Sequence, residues 1–333
     1  MNLLPLKQLF WGILLAGLVL GLGLFSLTVG ARDIPLSTIL ASFSAYDGEN
    51  FQELIIRTLR WPRLLAALLC GSSFAVAGAL MQGITNNPMA SPSILGINSG
   101  ASFGMALAMI LLPEATLNQT VGFSFLGAAF ATGIILLVAS RLGGKATPVY
   151  LALAGTAISA IFTAATRMLV LFFDVAQDLS YWTAGGLSGI RLEQIFRVGP
   201  WTLLGLGIAL AISRQVTLLS FGDEVAVGLG AQLGKIRFLA GAVVLLLSGS
   251  AVALAGPIGF VGLVTPHMVR KLVGIDYRVV LPASALAGTL LVLLADIGAR
   301  LVNPPYETPL GAITALIGVP FFMVLANRER KGV

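Results

Sequence analysis

Ten nearly charge-free stretches of roughly 17 to 25 residues run the length of this chain, and that is the length a helix needs to cross the hydrocarbon of a bilayer. They cover residues 10–29, 64–84, 94–112, 121–142, 150–173, 195–212, 238–254, 258–273, 279–297 and 310–326. A backbone with no water to bond must satisfy its own polar groups, so such stretches are read as spanning helices. Arg197 interrupts the sixth and Pro266 the eighth. The first, behind Lys7, is long enough for a signal peptide but is followed by no small-x-small cleavage pattern, so it is kept as a span. The chain has 57% apolar and only 10% charged residues, against about a quarter charged in soluble domains, which excludes an ordinary water-soluble enzyme.

The net charge of +6 does not point to nucleic acid, because Lys and Arg punctuate the ends of apolar blocks instead of forming a stripe. Arg141, Lys145, Arg214, Lys235, Arg237, Arg270, Lys271, Arg278 and the terminal Arg328, Arg330 and Lys331 fall on one side of a ten-span chain, which places both termini in the cytoplasm. Arg57, Arg60 and Arg63 lie on the other side, against that rule, and call for a reason of their own. Residues 34–43 form a short amphipathic stretch expected along the outer surface, and Gly71, Ala75 and Ala79 give the second span a face for close helix packing.

Cys70 is the single cysteine, so no internal disulfide can form, and it is read as a small core residue. Gly230 to Ile236 lacks both the glycine spacing and the hydroxyl of a phosphate loop, and Leu233 breaks the dinucleotide pattern that Gly228 and Gly230 begin. His267, the lone histidine, has no companion at metal-ligand spacing and is assigned a hydrogen-bonded structural role. Asp296 is the one acid inside a span, and Arg300 a turn later is its expected partner. No chain of intramembrane acids runs through the spans, as would serve a proton-coupled carrier.

Three segments carry more information than composition. The first is Arg60-Trp61-Pro62-Arg63 with the run from Gly78 through Asn87-Pro88-Met89 to Ala101; the second runs from Leu218 through Gly222-Asp223-Glu224 to Gly230. The third runs from Ala255 through Thr265-Pro266-His267 to Arg270 and continues in Leu294 to Asp296 and Pro309 to Pro320. Together they resemble the permease subunit of ABC importers for ferric siderophores, haem and cobalamin. Residues 87–101 and Thr166-Arg167 look most similar to ferric-citrate permeases.

The resemblance implies an all-α polytopic fold of about ten transmembrane helices, N-in and C-in, of the type II ABC importer permease kind. It implies one transmembrane permease domain over 1–333 and, within it, a cytoplasmic ATPase-docking segment over 220–234. Phe221, Gly222, Asp223, Glu224, Val227 and Gly230 are its expected contact residues. Arg60, Arg63 and Arg300 would receive acidic residues of an extracytoplasmic binding protein, with lipid headgroups as the alternative ligand. Asn87, Met89 and Thr147 would form a cytoplasmic gate. Arg167 has two readings: snorkelling to outer headgroups, or facing the pathway of an anionic ferric chelate. No catalytic residue, metal ligand or directly bound cofactor is expected, since ATP and magnesium belong to a separate ATPase. The implied partners are that ATPase, the binding protein, a second permease subunit, same or related, and the ferric chelate. The implied location is the bacterial cytoplasmic membrane. A haem or cobalamin cargo, or an ion-coupled secondary carrier, are the alternative readings.

Overall fold

The computed structural model describes residues 6–30, 33–44, 46–141, 148–304 and 306–330. Among them, every regular element is helical. Each of the ten apolar stretches coincides with a helix: α1 (Leu6–Thr28), α4 (Trp61–Thr85), α5 (Ile97–Leu111), α6 (Leu117–Arg141), α7 (Pro148–Phe173), α9 (Leu192–Ala211), α12 (Leu233–Ala255), α13 (Val261–Val273), α14 (Tyr277–Leu301) and α15 (Leu310–Arg330). Five shorter helices join them: α2 (Leu36–Ser44), α3 (Phe51–Ile55), α8 (Ala176–Thr183), α10 (Ser213–Leu219) and α11 (Asp223–Gly228). Seven of the ten are long and apolar enough to cross a membrane unaided. Two of the others, α5 and α13, are shortened for local reasons. A 3₁₀ turn over Pro92–Leu95 takes up residues ahead of α5, and Gly256 and Phe260 at positive φ delay the start of α13; α15 runs 21 residues without a break through Pro320.

The core is built around α4, whose side chains are almost all buried. It packs on α14, α12 and α13. Gly71 lies so close to α14 that a Cβ there would meet the Thr289 Cα at 2.5 Å, and Gly78 opposes Gly262 of α13 still more tightly. The small-residue face read from Gly71, Ala75 and Ala79 is therefore the α4–α14 seam, where Ala75 meets Gly288.

The apolar stretch beginning at residue 64 understates this helix. Phe51 to Thr85 is one continuous run, α3 passing through a π-turn over Ile56–Arg60 into α4. Pro62 lacks an N–H and cannot continue the regular ladder, so the coil widens just before it. The widening falls on Arg57 and Arg60. Arg57 leaves the helix to stack 4.0 Å over Tyr46 and to donate to the Ser42 carbonyl at 2.7 Å. The expected amphipathic stretch is α2, which buries Ile39 and leaves Leu36, Leu40 and Phe43 exposed.

Candidate functional site

At one end of the bundle the start of α4, the end of α14 with the segment that follows it, and the end of α1 bring five charged side chains together. The Arg63 Nε donates to Asp296 Oδ1 at 2.8 Å and its Nη1 to Glu307 Oε1 at 2.5 Å. Arg300 Nη2 lies 2.9 Å from Asp296 Oδ2, which is the turn-spaced pair expected from sequence, and its Nη1 donates to the Ser26 and Val29 carbonyls at 2.9 Å. Arg60, itself buried, donates to the Leu27 carbonyl. Asp296 is 3% exposed at its side chain and Glu307 is 40% exposed, so the network has a shielded centre and one accessible acid. Partial burial pushes the Glu307 carboxyl up, but the hydrogen bond and charge of Arg63 outweigh it and hold it below the ordinary value. Arg60, Arg63 and Arg300 are thus brought together, each bonded within the chain. Glu307 is the member that sequence reading missed.

Between α5, α7 and α8 lies a cavity of about 810 Å³, with Pro257 of the non-helical segment before α13 in its wall. Its lining is hydroxyl-rich and includes Asn98, Ser99, Ser102, Thr163 and Thr183 beside Arg167. Broken backbone at membrane depth is tolerated where it borders a cavity, which is where Pro257 lies. The Arg167 side chain makes no hydrogen bond or ion pair with any described residue and is exposed. Among the long helices α7 is the least buried within the chain, so this polar wall faces outward from the bundle.

At the end opposite the charge network, α10 and α11 form an elbow. Gly222 at φ 105° makes the bend between them and Gly230 at φ 81° ends it, both in the region where only glycine is at ease. Asp223, at the first position of α11, accepts from Arg237 Nη2 at 2.8 and 2.9 Å, and Arg237 also donates to the Ile84 carbonyl at the end of α4. The Tyr277 amide donates to Thr217 Oγ1 at 3.0 Å, fixing α10 to the start of α14. Ala226 is fully buried, whereas Phe221, Val225, Val227 and Leu229 are half or more exposed on this rigid support. Glu224 is exposed and unpaired among the described residues. The two neighbouring acids therefore differ: Asp223 holds the elbow in place, and Glu224 projects from it.

The Asn87-Pro88-Met89 turn follows α4 directly. Asn86 takes the left-handed conformation at φ 49°, and Asn87 Oδ1 accepts from the Met89 amide at 2.8 Å, closing a side-chain turn. Asn87 shares a cavity of about 440 Å³ with Gln82, Phe221, Gly222, Arg270 and Tyr277, so this turn and the elbow border one space. Arg270 Nη2 donates to Gln82 Oε1 at 2.6 Å within it. Thr147 lies outside the described residues. His267 sits edge-on against Phe321 at 5.8 Å, and its Nε2 is shut from solvent with no hydrogen-bond partner among the described residues, so packing and not the expected hydrogen bond is what meets this nitrogen's side of the ring.

A bundle of membrane-length helices with a polar, arginine-bearing cavity on an unpacked face and an exposed elbow at one end defines a multi-span transport subunit. The chain belongs to the FecCD transport family, whose pattern it matches over residues 18–328. It is 45% identical to the iron(3+)-hydroxamate import system permease protein FhuB of Bacillus subtilis (strain 168), covering 96% of this chain and 84% of that one. It is 44% identical to the Fe(3+)-citrate import system permease protein YfmD of the same organism, over 94% of this chain and 92% of that one. To the Fe(3+) dicitrate transport system permease protein FecC of Escherichia coli (strain K12) it is 39% identical, over 96% and 97%. Among solved structures it superposes on a metal-chelate type ABC transporter in an inward-facing conformation with a TM-score of 0.84 and 29% identity, covering 95% of this chain and 98% of that one.

Proposed function

We propose that the chain is the membrane permease of an ATP-driven importer that carries a ferric chelate, a siderophore or citrate complex, from an extracytoplasmic binding protein into the cytoplasm. The observation that carries this reading is the near-full-length likeness to permeases named for iron-hydroxamate and iron-citrate import. The two cargoes are separated by one percentage point of identity, so the chemistry common to both, iron held by oxygen donors, is the substrate class proposed.

The elbow is the docking site for a soluble ATPase: Phe221, Val227 and neighbouring apolar side chains supply contact area, and Glu224 supplies a charge. Gly222 and Gly230 set the bends, and Asp223 anchors them. ATP and magnesium reside on that partner, and the chain hydrolyses nothing itself. The elbow end is cytoplasmic, with both termini, and the charge network faces the binding protein of a bacterial cytoplasmic membrane. There Arg63 is the reachable arginine, because a carboxylate of the binding protein can displace the exposed Glu307 from it. Arg60 and Arg300 contribute field, which acts on encounter and orientation more than on affinity. Asn87 and Met89 gate the cytoplasmic mouth beside the elbow. A second permease subunit, same or related, covers α7 and closes the pathway around Arg167.

Co-purification tests the reading. A tagged chain expressed with its neighbouring genes should retain a soluble ATPase whose hydrolysis rises when the chelate-loaded binding protein is added. A chain that purifies without any ATPase and transports in response to an ion gradient would replace it with a secondary carrier.

A further inference from the structure

The first turns of α9 hold a charge that no described residue answers. Arg197 is the sixth residue of this membrane-length helix, exposed, and without a hydrogen bond or ion pair to any described residue. Glu193 lies one turn earlier on the same helix and does not pair with it. A guanidinium within an apolar span is unfavourable unless an anion or the aqueous boundary reaches it. Arg197 stands on a cleft of about 390 Å³ between α6, α9 and α12, walled by Phe125, Leu126, Trp201 and Leu246. On the same cleft, the Asn118 carboxamide oxygen is shut from solvent and has no hydrogen-bond donor. One opening thus combines an unpaired cation, an unsatisfied acceptor and a long apolar wall. It lies toward the charge-network end, since Gln194 of α9 and Glu307 line a common pocket.

We propose that this cleft binds a phospholipid with an anionic, hydroxyl-bearing headgroup of the phosphatidylglycerol type. The phosphate neutralises Arg197, a headgroup hydroxyl donates to Asn118 Oδ1, and an acyl chain lies along Phe125, Leu126, Trp201 and Leu246. Phosphatidylcholine has the phosphate but no N–H or O–H for Asn118, and its own cation cancels the charge. Phosphatidylethanolamine has the donor but brings a second cation beside Arg197. Trp201 adds an amphipathic ring of the kind that settles at the membrane boundary. The bound lipid would brace α12, which packs on the central α4, and its site is independent of the cargo proposed above.

Native mass spectrometry of the purified, delipidated assembly, titrated with phosphatidylglycerol, phosphatidylethanolamine and phosphatidylcholine of matched chains, tests this. Phosphatidylglycerol should bind most tightly. Arg197→Gln and Asn118→Leu should each weaken it about fivefold, the scale of one cationic contact to an anionic lipid, and Arg197→Lys should keep most of the affinity. Equal binding of the three lipids, a preference for phosphatidylethanolamine, or unchanged affinity in Arg197→Gln would overturn the proposal. A second measurement needs no variant at the polar end. Phosphatidylglycerol brominated on its chains should quench the native tryptophan fluorescence more than brominated phosphatidylcholine, with the excess lost in Trp201→Phe. Equal quenching by the two lipids would overturn the proposal even if the polar variants failed to assemble.

Discussion

Arg237 Nη2 donates to both carboxylate oxygens of Asp223, at 2.8 and 2.9 Å, across the joint between α11 and α12, and through the Ile84 carbonyl the Nε of the same guanidinium grips the end of α4. A force applied to the elbow therefore reaches the central helix through one side chain. Glu224, the adjacent acid, touches none of this.

The two acids should respond differently to substitution. Glu224→Lys is expected to leave the chain folded while lowering binding-protein-stimulated ATP hydrolysis, because it alters only a projecting charge. Asp223→Arg should also lower it, by freeing the elbow, and Arg237→Asp added to it should restore a large part. The acid of the bridge is 44% exposed, which holds its worth to about 0–1 kcal/mol in stability, so melting temperatures should move little. Full stimulation in Glu224→Lys would remove that residue from the docking surface.

At the other end, Asp296 balances two arginines with a side chain that is 3% exposed. Removing one partner of a buried ion pair leaves an uncompensated charge, at about 3–5 kcal/mol. Asp296→Asn should destabilise the detergent-solubilised protein on that scale. Glu307→Gln, which removes a half-exposed partner, should change it by no more than about 1 kcal/mol. Denaturation curves that show equal losses for the two would contradict the shielded-centre reading.

How much of this was legible beforehand follows the distance over which each interaction acts. The ten helices and the Asp296–Arg300 pair are local, set by apolar runs and by a four-residue spacing. Gly71 and Ala75 announce close packing but not against which helix. Arg63 and Glu307 are 244 positions apart, and no spacing rule connects them. Arg237 reads from sequence only as a cytoplasmic base; its grip on Asp223 depends on the bend at Gly222. The cavity around Arg167 is half legible: Thr163 and Thr166 lie on the same helix, whereas Asn98, Ser99 and Ser102 arrive on α5 through tertiary packing. The short helices α8, α10 and α11 have too few turns to show a periodic pattern.

The Glu307–Arg63 bridge should leave a pH signature. Glu307 titrates below its ordinary value of 4.5, so its carboxylate contributes stability that is fully present above that value and is lost as pH falls through the lowered one. The difference in melting temperature between the native chain and Glu307→Gln should therefore be constant above about pH 5.5, where a free carboxyl is fully ionised. It should disappear with a midpoint below 4.5. A midpoint at or above 4.5 would mean that Arg63 does not favour the charged carboxylate.

Arg167 carries the sharpest test of cargo. At the centre of a spanning helix an arginine costs about 2.5–3.5 kcal/mol on insertion scales and less toward its ends, and Arg167, six residues from the end of α7, has no partner among the described residues to offset it. Snorkelling would leave it pointing at headgroups, with no reason for the hydroxyls of Thr163, Ser99 and Ser102 to share its cavity. A wet pathway accounts for both, since a single exposed cation beside neutral hydroxyls attracts an anionic chelate without trapping it. Arg167→Gln should reduce uptake of an anionic ferric chelate severalfold while basal ATP hydrolysis and assembly stay intact, and Arg167→Lys should restore part of the rate. Raising ionic strength should narrow the gap between the native chain and the Gln variant, because the attraction is screened. Uptake kinetics of Arg167→Gln that match the native protein across that salt range would return the side chain to the lipid headgroups.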